Sequence, residues 1–122
     1  RMMRITAALA VVLVAALHLG FLVLEMVFWQ APLGLRLFSM TPEQAAASAV
    51  LAANQGLYNG FLAAGLLWGL VAGKRDVQIF FLLCVIVAGL FGGYTAKPSI
   101  YLTQALPGAA GLVLVLLARR KD

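Results

Sequence analysis

The chain has 122 residues, of which 64% are hydrophobic and 11% charged, with a formal net charge of +5. A soluble domain carries about 25% charged residues, so this composition cannot wrap a core in a wettable shell. The basic residues sit in short breaks between apolar runs, which makes them a topology signal and gives no groove for nucleic acid. The expected fold is all-α: an antiparallel four-helix bundle in the membrane, one domain over residues 1–122.

The spans are expected at about 5–29, 42–72, 77–95 and 100–118; about 20 residues cross the hydrocarbon, and the second span, at about 31 residues, exceeds that thickness. The first starts with Arg1 and Arg4, like a secretory leader. It is too long for one, and no small-residue cleavage site follows its apolar core, so it reads as a retained span. Phe28 and Trp29 form an interfacial belt at its end. Gln30 to Gly34 is expected to break the helix. Leu35, Leu37 and Phe38 suggest a loop lying in the interface.

The second span has a strong start. Thr41 can cap, Pro42 suits the first helical position and Gln44 completes a capping box. Gly73 is a good stop. Lys74-Arg75-Asp76 then makes a tight turn into the third span, and Lys97-Pro98-Ser99 another into the fourth. Pro107-Gly108 is expected to kink the last helix.

Arg1, Arg4, Lys74, Arg75, Arg119, Arg120 and Lys121 fall on one side of this plan, and only Arg36 and Lys97 on the other. Both termini are therefore expected in the cytoplasm, with the chain multi-pass in the inner (plasma) membrane. The single Cys84 reads as a small buried apolar residue.

The second span carries an unusual interior, Asn54-Gln55-Gly56-Leu57-Tyr58-Asn59-Gly60. On a helical wheel Asn54, Gln55, Tyr58 and Asn59 share one side, while Ala52, Gly56, Gly60 and Ala64 share another. The small side permits close helix approach, with Gly89 and Gly93 on the third span as the natural partners. Amides in hydrocarbon need partners. His18 and Glu25 lie seven residues apart on one face of the first span, and Tyr94, Tyr101 and Gln104 sit near the same depth. These residues are expected to converge on a polar pocket opening outward.

Glu25 is the one acid inside a span and the leading candidate for binding a proton or cation. His18 is the group that could exchange a proton with it. Each has a plainer alternative. Glu25 could snorkel to the interface, His18 could be a hydrogen-bonded core residue, and the amides could be interhelical glue.

Two stretches carry a family likeness. His18-Leu-Gly-Phe-Leu-Val-Leu-Glu25-Met26 and Leu51-Ala-Ala-Asn54-Gln55-Gly56-Leu57-Tyr58-Asn59-Gly60-Phe61-Leu62-Ala-Ala-Gly65 resemble the signatures of a small membrane-protein family catalogued as domain of unknown function thirteen-zero-four. Cys84 to Gly89 and Gln104 to Pro107 resemble its later segments. The resemblance implies a compact four-helix membrane protein and brings no reaction, cofactor or substrate.

The favoured function is binding or transport of a small ligand, coupled to a proton or cation. The candidates are Glu25, His18, Asn54, Gln55, Tyr58, Asn59, Gln104 and Tyr94. Membrane lipids and an unknown small ligand are the expected partners. Transport by so small a chain would require a second copy, so a homodimer is expected. No cofactor, metal site or catalytic residue is assigned. Two alternatives stay open. One is a membrane-embedded enzyme acting on a lipid or quinone-like substrate, with Glu25 or His18 as acid or base. The other is a structural or partner-binding protein whose polar residues hold helices together.

Overall fold

Buried side chains recur mostly at steps of three and four residues along each long helix, the spacing of helix-on-helix packing. In the computed structural model, which describes residues 1–118, α1 is Met2–Met26, α2 is Pro32–Leu37 and α3 is Pro42–Val71. After them come α4, Arg75–Thr95, a π-helical turn at Tyr101–Ala105, and α5, Leu106–Leu117. All regular structure among the described residues is helical. Arg119, Arg120 and Lys121, counted above with the basic side, lie outside the described residues.

Along α1 the buried stripe is Ala7, Val11, Val14, His18 and Glu25, and along α3 it is Ala45, Ala52, Gly56, Asn59, Ala63 and Leu66. Polar residues thus occupy positions that the repeat assigns to the core. The opposite faces are apolar and bare: Leu9 is 65% exposed, Val50 84% and Phe91 69%.

Two helices among the described residues, Met2–Met26 and Arg75–Thr95, are long and apolar enough to cross a membrane. Only 28% and 22% of their most apolar windows is buried, unlike the core helix of a soluble protein. α3 is longer, at 30 residues, but Asn54, Gln55 and Asn59 in its middle dilute its hydropathy. The last apolar stretch, Tyr101–Leu117, is shorter.

The chain divides into two compact units. The first comprises residues 1–15 and 64–122, the second 16–63.

In the second unit α1 ends at Met26, short of Trp29. Residues 30–34 do not simply break the helix, because Pro32 opens α2. Proline's fixed φ and missing N–H suit a first helical position. Gly34 in α2 is buried. A Cβ there would overlap the carbonyl oxygens of Phe28 and Trp29, so no larger residue fits. α3 then starts in a reciprocal capping box. The Thr41 amide donates to Gln44 Oε1 at 2.9 Å, and the Gln44 amide to Thr41 Oγ1 at 3.1 Å.

In the first unit α3 ends at Val71, and Gly73 just beyond it, with a φ of +65°, makes the left-handed stop that glycine allows. The Lys74 amide closes this turn on the Gly69 carbonyl at 2.8 Å. α4 packs on the last helix through small residues. A Cβ on Gly89 would lie 2.5 Å from the Ala105 nitrogen, and one on Gly93 would meet the Tyr101 ring. Ahead of Pro107 the backbone widens into the π-helical turn, where the Leu106 amide bonds the Tyr101 carbonyl. The wider turn accommodates a residue that supplies no N–H and crowds the turn before it.

Candidate functional site

The polar cluster lies wholly within the unit of residues 16–63. The final turn of α1 presents Glu25, which is 6% exposed. Across from it, α3 comes close because two of its residues lack side chains. A Cβ on Gly56 would stand 2.6 Å from Met26 Cγ and 3.1 Å from Glu25 Cβ, and one on Gly60 2.8 Å from Leu22 Cδ1. Each pair of glycines meets neighbours within its own unit. Gly56 and Gly60 receive α1, while Gly89 and Gly93 receive Ala105 and Tyr101. A wheel shows which side is small but not which helix arrives there.

The close approach brings short amide side chains within reach of the acid. Gln55 Nε2 donates to Glu25 Oε2 at 2.8 Å, and Asn59 Nδ2 donates to Oε1 at 2.5 Å. Each carboxyl oxygen thus receives one amide N–H. An ionised carboxylate accepts at both oxygens, whereas a protonated one turns one of them into a donor. The two amides therefore match the ionised form.

Of the other candidates, His18 is 1% exposed and meets Phe21 edge-on, with ring centroids 5.2 Å apart. Asn54 is exposed, as is Tyr58, whose ring packs edge-on against Phe61 at 5.5 Å. Tyr94 is 85% exposed. Gln104 is half-buried within the π-helical turn. The acid and two amides are thus directly joined, while Asn54, Tyr58 and Tyr94 look away from the buried stripes. Among the described residues no three His, Cys, Asp or Glu side chains are grouped so as to hold a metal ion.

A second polar tie in the same unit was not foreseen. Trp29 Nε1 donates to Ser48 Oγ at 3.1 Å, and Ser48 donates to the Gln44 carbonyl at 2.7 Å. Phe38 covers the indole, its ring centroid 4.8 Å away. Trp29 is therefore fixed to α3. The signal in the sequence was the spacing of Ser48 and Gln55, seven residues apart on the side of α3 that faces α1.

A family profile described as "Protein of unknown function (DUF1304)" matches residues 12–116. The chain is also 34% identical over 84 residues to "Uncharacterized protein YpaA" of Lactococcus lactis subsp. lactis (strain IL1403), covering 66% of this chain and 69% of the relative. No solved structure matches it. The matched stretch contains Glu25, Gln55 and Asn59 and the glycines that bring them together, and the chain belongs to the DUF1304 family.

Proposed function

We propose that this is a small multi-pass membrane protein in which Glu25, Gln55 and Asn59 form a proton-responsive lock between two helices. The membrane assignment rests on the bare apolar faces of α1 and α4, which only hydrocarbon or a partner would cover. In this reading α3 and the last helix also cross the bilayer, making a four-helix bundle with both termini on the cytoplasmic side.

One observation carries the lock. Both oxygens of a buried acid are occupied by amide donors from the facing helix. In hydrocarbon an unmatched donor has no water to turn to. Adding a proton to Glu25 makes one oxygen an O–H donor and a poorer acceptor, so the bond from one amide weakens and the contact between the helices loosens. The same competition applies to a cation or small ligand, which must displace Gln55 or Asn59 to reach the carboxylate. On this reading the site is a closed lock that a proton or cation opens.

Trp29 reports on this unit from its tie to Ser48. With Trp68 replaced by Phe, the emission of Trp29 in reconstituted protein is expected to change in one step as the pH falls. Glu25→Gln should abolish the step, since Gln cannot gain a proton. A step that persists unchanged in Glu25→Gln would end the proposal. Proton or cation flux into proteoliposomes, present in the parent chain and absent in Glu25→Gln, would extend the lock to transport.

The interhelical-glue reading is favoured by one feature, that Gln55 and Asn59 are already paired within the unit. It predicts the same hydrogen bonds and no pH step.

A further inference from the structure

A second polar feature lies in the other unit. A cleft of about 290 Å³ is lined by Arg4, Arg75 and Gln78, with Ala7, Leu70 and Val115 among its apolar walls. Among the described residues no carboxylate lines it. Arg75 is anchored on one edge, with Nη2 donating to the carbonyl oxygens of Val115 at 3.3 Å and Leu116 at 3.1 Å. These are the open carbonyls at the end of α5, where a cation is favoured. The other edge is unsatisfied. Nε is buried with no hydrogen-bond partner among the described residues. A guanidinium N–H shut away from both water and an acceptor is costly.

We propose that this cleft seats the phosphate of an anionic phospholipid headgroup. Two guanidinium groups supply charge and forked donors suited to phosphate. Turning the Arg75 guanidinium from its α5 carbonyls toward the cleft exchanges those bonds for phosphate oxygens and gives Nε the acceptor it lacks. Gln78 keeps its side chain in place by donating to the Gly69 carbonyl at 3.2 Å. The alanine, leucine and valine walls match the glycerol and first acyl carbons that accompany a headgroup, which a free phosphate ion would not need. The size suits a headgroup and excludes a whole lipid. The inference rests on the membrane reading above, because Arg4 and Arg75 must then lie at the level of the headgroups. It is independent of the lock at Glu25.

The test is native mass spectrometry of the full chain from mixed micelles holding equal phosphatidylglycerol and phosphatidylcholine. The parent chain is expected to retain one phosphatidylglycerol in preference to phosphatidylcholine. Arg4→Gln is the clean variant, because Arg4 is exposed and lies outside the α5 anchor. It should lower the retained phosphatidylglycerol about fivefold, as expected for ~1 kcal/mol per basic side chain near an anionic surface. Lys74→Gln, exposed in the same basic stretch but outside the cleft lining, should leave retention within about twofold. Equal losses in the two variants would mean diffuse charge attraction and overturn the site. Equal retention of both lipids would overturn it too. Displacement by millimolar inorganic phosphate would show that the cleft takes free phosphate, against the proposal. A chain that fails to insert into vesicles at all would instead defeat the membrane reading, which separates the two failures.

Discussion

The two units hold their helices together by different means. In residues 64–118 the α4 contact with the last helix is steric, with Gly89 lying against the backbone of Ala105 and Gly93 beneath the ring of Tyr101. In residues 16–63 glycines also bring two helices close, but the space they create is used for an acid and two amides. Close packing rewards many similar arrangements, because van der Waals attraction has little direction. A carboxylate held by two donors has one register. Sliding α3 by a residue would carry both amides off Glu25. On the proposed reading, the polar unit is where a change in protonation changes structure, while the helix contact of the steric unit is built from apolar packing.

This contrast can be broken by mutation. The largest effect is expected at Gly89→Val, because the obstacle is the backbone of Ala105 and cannot rotate away. Overpacking of this kind costs about 3 kcal/mol, and equilibrium unfolding in micelles should show it as the strongest loss. Gly93→Ala should cost less, since the Tyr101 ring can turn aside.

Next comes Glu25→Ala, which strands the amide of Asn59. The loss should be about 2 kcal/mol, the range for removing one partner of a buried charged hydrogen bond. Asn59→Ala alone should cost about as much. The double variant should then cost clearly less than the sum, with a coupling of about 1 kcal/mol. Strict additivity would show that the acid and amide do not act together.

A smaller loss, about 1 kcal/mol for one neutral hydrogen bond, is expected for Trp29→Phe, which keeps a ring against Phe38 but drops the donor to Ser48. The companion Ser48→Ala should match it, and the pair together should lose little more.

Much of this was legible in the sequence, where the chemistry is local. Thr41 and Gln44 fall at capping-box spacing, Gly73 marks a left-handed stop, and Glu25 with the two amides stands out in apolar runs. Partner choice was less legible. Gly56 and Gly60 showed a small side but not that α1 would occupy it. Pro32 read as a breaker because proline both ends and begins helices, and the outcome depends on whether Gly34 can lie against the Phe28 and Trp29 carbonyls. Pro107 signalled a disturbance but not its form, since a kink and a π-helical turn both relieve the missing N–H.

The smallest expected effect gives the sharpest test of the comparison. Asn54 and Tyr58 looked like members of the cluster because the wheel places them beside Gln55 and Asn59. The stripe of α3 that becomes buried runs through Ala52, Gly56, Asn59 and Ala63, which leaves Asn54 and Tyr58 on its outer flank. If the lock is complete with one acid and two amides, Asn54→Ala and Tyr58→Phe should each change stability by less than about 0.5 kcal/mol, the usual range for surface substitutions. They should also leave the Trp29 pH step where it was. A loss at Asn54→Ala approaching that of Asn59→Ala would mean that the polar side of α3 acts as one extended network. The region would then resemble a lined pocket more than a lock, and a ligand that binds without displacing an amide from Glu25 would become the better account.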